Sequence, residues 1–238
     1  MIKMVVKIFS WVLLGLGYVQ ASVLPVVKCT LTDQVCMKAA VQKMAPFFAV
    51  GMPEYNTEVL DPMALDQFKF DLSGLKFRMS NATLRGLTNI AIDNVDWNVN
   101  KKICTIEFRL DINVKGAYKA SGQVLILPIT GDGQIKMKLK NLYVKLNIHY
   151  QLVKINGKNH VKPTKSTFEF DLRDGAHFNL TNLFNGNKEL SDAMLKFLNE
   201  NWKEITQEFG SPLMETAIKR VYKNIATFLK KVPIEDIA

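Results

Sequence analysis

Only three cysteines and three histidines occur among 238 residues. His149, His160 and His177 are scattered and lack the spacing of metal ligands, two of them beside the turn-like segments Gly157-Lys158 and Asp174-Gly175. No Gly-x-Ser-x-Gly elbow is present, so no activated nucleophile with a base beside it can be read from the chain. These shortages argue against a hydrolase or any other enzyme, and no metal or cofactor is expected. Arginine-rich runs are also missing. The lysines mostly alternate with apolar residues, as in Ile135-Lys136-Met137-Lys138-Leu139-Lys140, which reads as the wet face of a strand rather than a nucleic-acid or membrane patch. After the first twenty residues every apolar run is broken by charge within a few positions, so none reads as a membrane span.

What is present starts at the N-terminus. Lys3 and Lys7 precede an almost wholly apolar Ile8–Val19, and Val19-Gln20-Ala21 puts small residues where a signal peptidase cuts. The stretch is too short to span a bilayer, so residues 1–21 are expected to be a signal peptide and residues 22–238 a single exported, extracellular domain. The formal charge of +9 includes Lys3 and Lys7, so the mature chain keeps +7, a balance that steers towards anionic surfaces. On an oxidising export route Cys29 and Cys36, with six residues between them, are expected to bridge. Cys104 is left over on the apolar phase of an alternating strand, where a buried, inert thiol is expected. Asn81-Ala82-Thr83 and Asn179-Leu180-Thr181 are glycosylation sequons.

The spacing predicts a helix from Asp33 to about Phe48, striped by Cys36, Ala40, Met44 and Phe47, with an irregular end at Pro46. A turn-rich connector, Gly51 to Pro62, follows. From about Phe68 to Leu172 the period is two, with a phase change that predicts a bulge near Asp93-Asn94. Ile106, Phe108, Leu110, Ile112 and Val114 form one strand face, and Leu142, Val144, Leu146, Ile148, Tyr150 and Leu152 another. Val124–Ile129 is apolar on both phases and reads as a strand covered on both sides or lying at a sheet crossing. The period then returns to three and four from Leu190 to Leu229, interrupted at Gly210-Ser211-Pro212, giving a broken helix of roughly 40 residues, ~60 Å long. The expected fold class is α+β: a long, highly curved antiparallel sheet wrapped around a long C-terminal helix. Space left between the two would be apolar and dry, the description of a lipophile's site, unless large side chains fill it.

An ordered set of motifs then adds a resemblance. The N-terminal cysteine pair is followed by Gly51-Met52-Pro53-Glu54-Tyr55, Leu60-Asp61-Pro62, Gly116-Ala117-Tyr118, Gly122–Ile129, Gly131-Asp132-Gly133, Leu183-Phe184-Asn185-Gly186 and Asn199-Glu200-Asn201-Trp202. In this order and spacing the mature chain resembles the insect takeout and juvenile hormone-binding protein family. The resemblance implies a module similar to those of the tubular lipid-binding proteins, with a hydrophobic ligand inside. It also implies a secreted carrier of juvenile hormone or another lipophile, linked in some members to hemolymph, feeding, circadian output or chemosensation. Hemolymph hormone carriers of the family tend to have a second disulfide late in the chain; none can form here, because no cysteine follows Cys104. The chain therefore looks closer to the takeout branch.

A carrier needs apolar walls and one or two polar anchors. Tyr118 and Tyr150 lie on the inward phase of their strands and are the candidate anchors. Candidate walls are Phe47, Phe108, Leu110, Ile148, Phe168, Phe170, Trp202 and Phe209, each of which could equally be plain core. The expected partner is one hydrophobic small molecule such as a terpenoid or fatty acid, bound by a monomer, with no nucleic acid. A protein acting at a lipid surface or receptor is the alternative.

Overall fold

The computed structural model describes residues 27–65 and 68–237; the expected signal peptide lies outside the described residues. Asp33 caps the first helix, α1 (Gln34–Val50), its carboxylate accepting from the Cys36 N–H at 3.0 Å. Cys29 and Cys36 are disulfide-bonded, and Cys104 is free and buried. Pro46 does not fray α1. The helix continues past it to Val50, its last turn held by Phe48 packed edge-on against Phe228 at 5.0 Å, and Gly51 at φ 81° stops it.

Seven antiparallel strands form one sheet: β1 (Met63–Leu65), β2 (Lys69–Leu72), β3 (Leu75–Arg85), β4 (Ala91–Asn98), β5 (Ile103–Val124), β6 (Leu127–Ile155) and β7 (Lys158–Leu180). β6 lies between β5 and β7. The other edge of β5 is shared: β4 pairs with Ile103–Arg109 and β3 with Asn113–Gly122. The register of β4 shifts between Ile92 and Asn94, the bulge expected there. Two expectations are corrected. The sheet runs beyond Leu172 to Leu180, and Val124–Ile129 is not one doubly covered strand but the tip of the β5–β6 hairpin: Leu125 at φ 55° and Ile126, 85% exposed, form the turn between the strand ends. That short apolar run has no period, so nothing in it distinguishes a buried strand from an uncovered turn.

β6 has 29 residues and would span roughly 95 Å if straight. The C-terminal helices α2 (Lys188–Glu200), α3 (Trp202–Phe209) and α4 (Ser211–Lys231) have 13, 8 and 21 residues, roughly 60 Å end to end. The strands must therefore curl around the helices to bury their apolar face, and register shifts at Leu110/Ile112, Lys140/Leu142 and His149/Tyr150 accommodate the bend. The helix run is broken twice rather than once. Asn201 leaves helical geometry at φ −103°, ψ 26°, whereas Gly210 keeps it at φ −74°, ψ −32°. Gly210 is small for a packing reason: a Cβ there would fall 2.3 Å from the Thr206 carbonyl oxygen and 3.2 Å from the Phe170 ring of β7.

The connector after α1 is tied to α4 by Asn224, 1% exposed. Its side-chain oxygen accepts from the Glu58 N–H at 2.9 Å, and its amide donates to the Glu58 carbonyl at 2.7 Å. Lys223 hydrogen-bonds the Glu58 carboxylate and holds its pKa below the usual carboxylate range. Replacing Asn224 by leucine strands two backbone groups, so N224L is expected to lower stability by about 2 kcal/mol. A lower urea midpoint at unchanged slope would show it; an unchanged midpoint would mean water reaches Glu58.

Candidate ligand cavity

Two apolar cavities lie in series between the sheet and the helices, with no lining residue in common. The larger, about 230 Å³, is floored by β4, β5 and β6 and roofed by α1 and α4. The smaller, about 120 Å³, lies where β2, β3, β5, β6 and β7 face α2, α3 and the start of α4. Among the described residues, no charged side chain lines either. An engineered apolar cavity of ~150 Å³ stays dry and takes up benzene, so the larger space suffices for an apolar guest and gives water few partners.

Of the expected walls, Phe108, Leu110 and Ile148 line the larger cavity and Phe209 the smaller. Phe47 lines neither; its neighbour Phe48 does. The cavity face of α1 carries Ala40 and Met44 of the expected stripe together with Met37, Val41 and Phe48, whereas Cys36 and Phe47 lie off it. Cys36 is bonded to Cys29 and lines neither cavity. Phe168 and Phe170 are inward but line neither apolar cavity. They pack on each other at 6.4 Å, and Phe170 fills the space over Gly210, bordering a separate polar recess with Lys203 and Gln207. Trp202 is half-buried near Gly175 and lines neither cavity.

The two tyrosines divide. Tyr118 is 2% exposed, lines neither cavity, and donates its hydroxyl to the Thr181 carbonyl at 2.9 Å. It ties β5 to the end of β7, and its ring stacks on Phe77 at 6.2 Å. Tyr150 does line the larger cavity, edge-on to Trp97 at 5.3 Å and close to Cys104. Trp97, which the periodicity placed only on a strand face, has its indole N–H buried with no acceptor. A buried donor without a partner is the signal that could have singled it out, but it exists only in three dimensions. Most of the roof was also missed, because Met214, Ala217, Ile218 and Val221 read simply as helix core.

The histidines lie differently from the turn-like settings expected for two of them. His160 and His177 are both within β7; His160 is buried, its backbone bridged to Pro233, with Nδ1 unpaired. Asn81, at a bulge in β3, and Asn179, on β7, are both exposed.

The sequence of the family now bears on the fold. A family profile described as haemolymph juvenile hormone binding protein matches residues 9–238. The chain belongs to that family. It is similar to the crystal structure of Epiphyas postvittana Takeout 1, 53% identical, with a TM-score of 0.86 over 89% of this chain and 98% of that one. The circadian clock-controlled protein daywake of Drosophila melanogaster is 28% identical over 97% of this chain and 94% of its own. Juvenile hormone-binding protein of Manduca sexta is 29% identical over 36% of this chain and 39% of its own. The α+β architecture of the haemolymph juvenile hormone binding protein family, a long curved sheet around helices, is thus the one this chain adopts.

Burial, and then the charge of Asp96, push the Cys104 thiol far above its ordinary pKa. Native protein should therefore resist a thiol reagent at about pH 8, while urea-unfolded protein reacts at once; rapid native labelling would place the thiol on an open route. Burial and then Asp132 push the Tyr118 phenol up to about 12, against about 10 in an unfolded chain. The folded state holds that proton more tightly, so this contribution to stability is full below about pH 10 and is lost as pH rises to about 12. Y118F should remove that part of the alkaline loss, read as a smaller drop in melting temperature between those pH values.

Proposed function

We propose that the protein is an extracellular carrier that encloses a neutral, long-chain lipophile in the larger cavity and keeps it dissolved. The observation that carries this reading is a cavity of about 230 Å³ with apolar walls and no charged side chain among its described lining residues. Membership of a family named for juvenile hormone binding supports a hydrophobic ligand. Removal of residues 1–21, export and glycosylation at Asn81 and Asn179 belong to the same reading.

The lining also narrows the ligand. A carboxylate buried here would have no cation to pair with, at a cost of several kcal/mol. An ester, alcohol, ketone or epoxide oxygen would need only a donor, and the Tyr150 hydroxyl and the unpaired Trp97 N–H are at hand. Apolar burial, at ~25 cal/mol per Å², would supply most of the affinity.

Mass spectrometry of an organic extract of native protein should find a neutral lipophile at close to one per chain; an empty extract together with no binding from a broad panel would sink the reading. In competition against a fluorescent lipophile, a methyl ester should bind at least ~10-fold more tightly than its fatty acid at neutral pH. A217F, which puts a ring into the cavity from α4, should weaken binding by a similar factor at unchanged fold, while Y150F and W97F should lose only oxygen-bearing ligands.

A further inference from the structure

Along most of β6 the apolar members of the alternating pattern are covered: Leu146 is 0% and Ile148 2% exposed. Past Tyr150 the pattern continues but the cover stops. Leu152, still on the inward phase, is 43% exposed; Ile155, on the opposite phase beside the β6–β7 turn, is 36% exposed, and Val99 is 45% exposed at the β4–β5 turn. These two hairpin ends lie side by side. The Tyr150 N–H donates to the Lys102 carbonyl at 2.9 Å, and Tyr150 pairs across to Pro163.

The same two ends are strongly basic. Residues 99–102 and 151–165 carry Lys101, Lys102, Lys154, Lys158, Lys162 and Lys165, all exposed, and contain no aspartate or glutamate. The C-terminal segment brings two acids to them. Glu235 is taken up by Asn159, and Asp236 faces Lys158 at 3.7 Å. Lys101, Lys102, Lys154, Lys162 and Lys165 form no ion pair among the described residues. The opposite end of the sheet differs. There Ile126 and Leu72 are exposed as well, but the lysines stand beside acids, Lys76 with Asp71 at 3.9 Å and Lys119 with Asp132 at 3.6 Å.

We propose that the ends of the β4–β5 and β6–β7 hairpins form a docking surface for anionic lipid bilayers. Lysines with free head groups match the negative surface potential, and Leu152, Ile155 and Val99 between them can enter the headgroup layer while the lysine stems lie along it. A nucleic acid or anionic polysaccharide would use the lysines but would leave those three aliphatic side chains in water, so the combination favours a bilayer. The location has a consequence for exchange. Trp97, Cys104, Ile148, Tyr150 and Val161 line the larger cavity at this same end, and Val161 is the cross-strand partner of Leu152. Docking here puts the bilayer next to the cavity rather than across the molecule from it. The docking itself does not depend on the carrier reading.

The mature full chain should be sedimented with phosphatidylcholine vesicles and with vesicles in which about 30% of the lipid is phosphatidylserine. Binding is expected only to the anionic vesicles at about 0.1 M salt and is expected to fall at least tenfold by about 0.5 M. K154E/K162E/K165E should bind at least ~10-fold more weakly, whereas K136E/K138E/K140E, with the same charge change on the outer face of the sheet, should bind within about twofold of the parent. L152S/I155S should lose roughly three- to tenfold with every lysine intact. Urea midpoints show that each variant is folded, and binding of a soluble lipophile, measured alongside, separates failure of docking from failure of carriage. Equal binding to both vesicle types, or equal weakening by the two lysine triples, would overturn the proposal. So would vesicle binding that L152S/I155S leaves unchanged while heparin or duplex DNA competes fully, because the surface would then be a site for soluble polyanions.

Discussion

The apolar inner face of β5 and β6 has to be covered, and the helices available to cover it are shorter than the strands. Nearly every other residue from Ile112 to Tyr150 is directed inward, over strands of 22 and 29 residues. A flat sheet of that length would leave much of the face in water, at ~25 cal/mol for each Å² exposed. Curling lets one row of helices serve several strands at once. A helix is about 10–12 Å across with its side chains, however, and a concave sheet that follows its own twist does not match that cylinder everywhere. The cavities are the remainder of this mismatch.

Where the remainder falls depends on a few residues. The register shifts at Leu110/Ile112 in β5 and Lys140/Leu142 in β6 bend the floor at one level. At that level Ile112, which lines the larger cavity, is paired with Leu139, which lines the smaller. On the helix side Gly210 and Leu213 border the smaller space and Met214 the larger. The close approach of β7 at Gly210, through the Phe170 ring, therefore falls at the division between them. The partition is made of side chains, chiefly leucine, isoleucine and methionine, and methionine is the most adaptable of these.

Periodicity made the architecture legible, because a strand or helix writes its buried face directly into the spacing of apolar residues. It placed the bulge near Asp93, the inward phase of Phe108, Leu110, Ile148 and Tyr150, and the long broken C-terminal helix. It could not say whether an inward residue meets another side chain or a void, since that is decided by the element across the core. Phe170 meets a glycine and fills the gap; Tyr118 finds the Thr181 carbonyl; Phe209 borders empty space. All three are inward aromatics, two on strands and one on a helix, and in none does the local period tell which of these it meets. On α1 the expected stripe was half right: Ala40 and Met44 meet the cavity, while Phe48 does so in place of Phe47 and Cys36 is bonded to Cys29.

The distribution of charge then limits how selective such a protein can be. Among the described residues, the ions lie outside the cavities, and the larger cavity offers a guest only a phenol and an indole as polar groups of any strength. Without an ion pair or a bidentate contact, discrimination among lipophiles rests on length, shape and one neutral hydrogen bond. A methylene more or less in an apolar pocket is worth only about 1–3 kcal/mol, and a neutral hydrogen bond about 1 kcal/mol. A fixed cavity could use those increments to choose sharply, but one bounded by Ile112, Leu139 and Met214 can yield to a longer chain. Exclusion is therefore strongest where the physics is least negotiable, against buried charge, and weakest among neutral molecules of similar girth. On the proposed carrier reading, ligand identity would be set more by which neutral lipophiles are at hand than by a fine discrimination built into the walls.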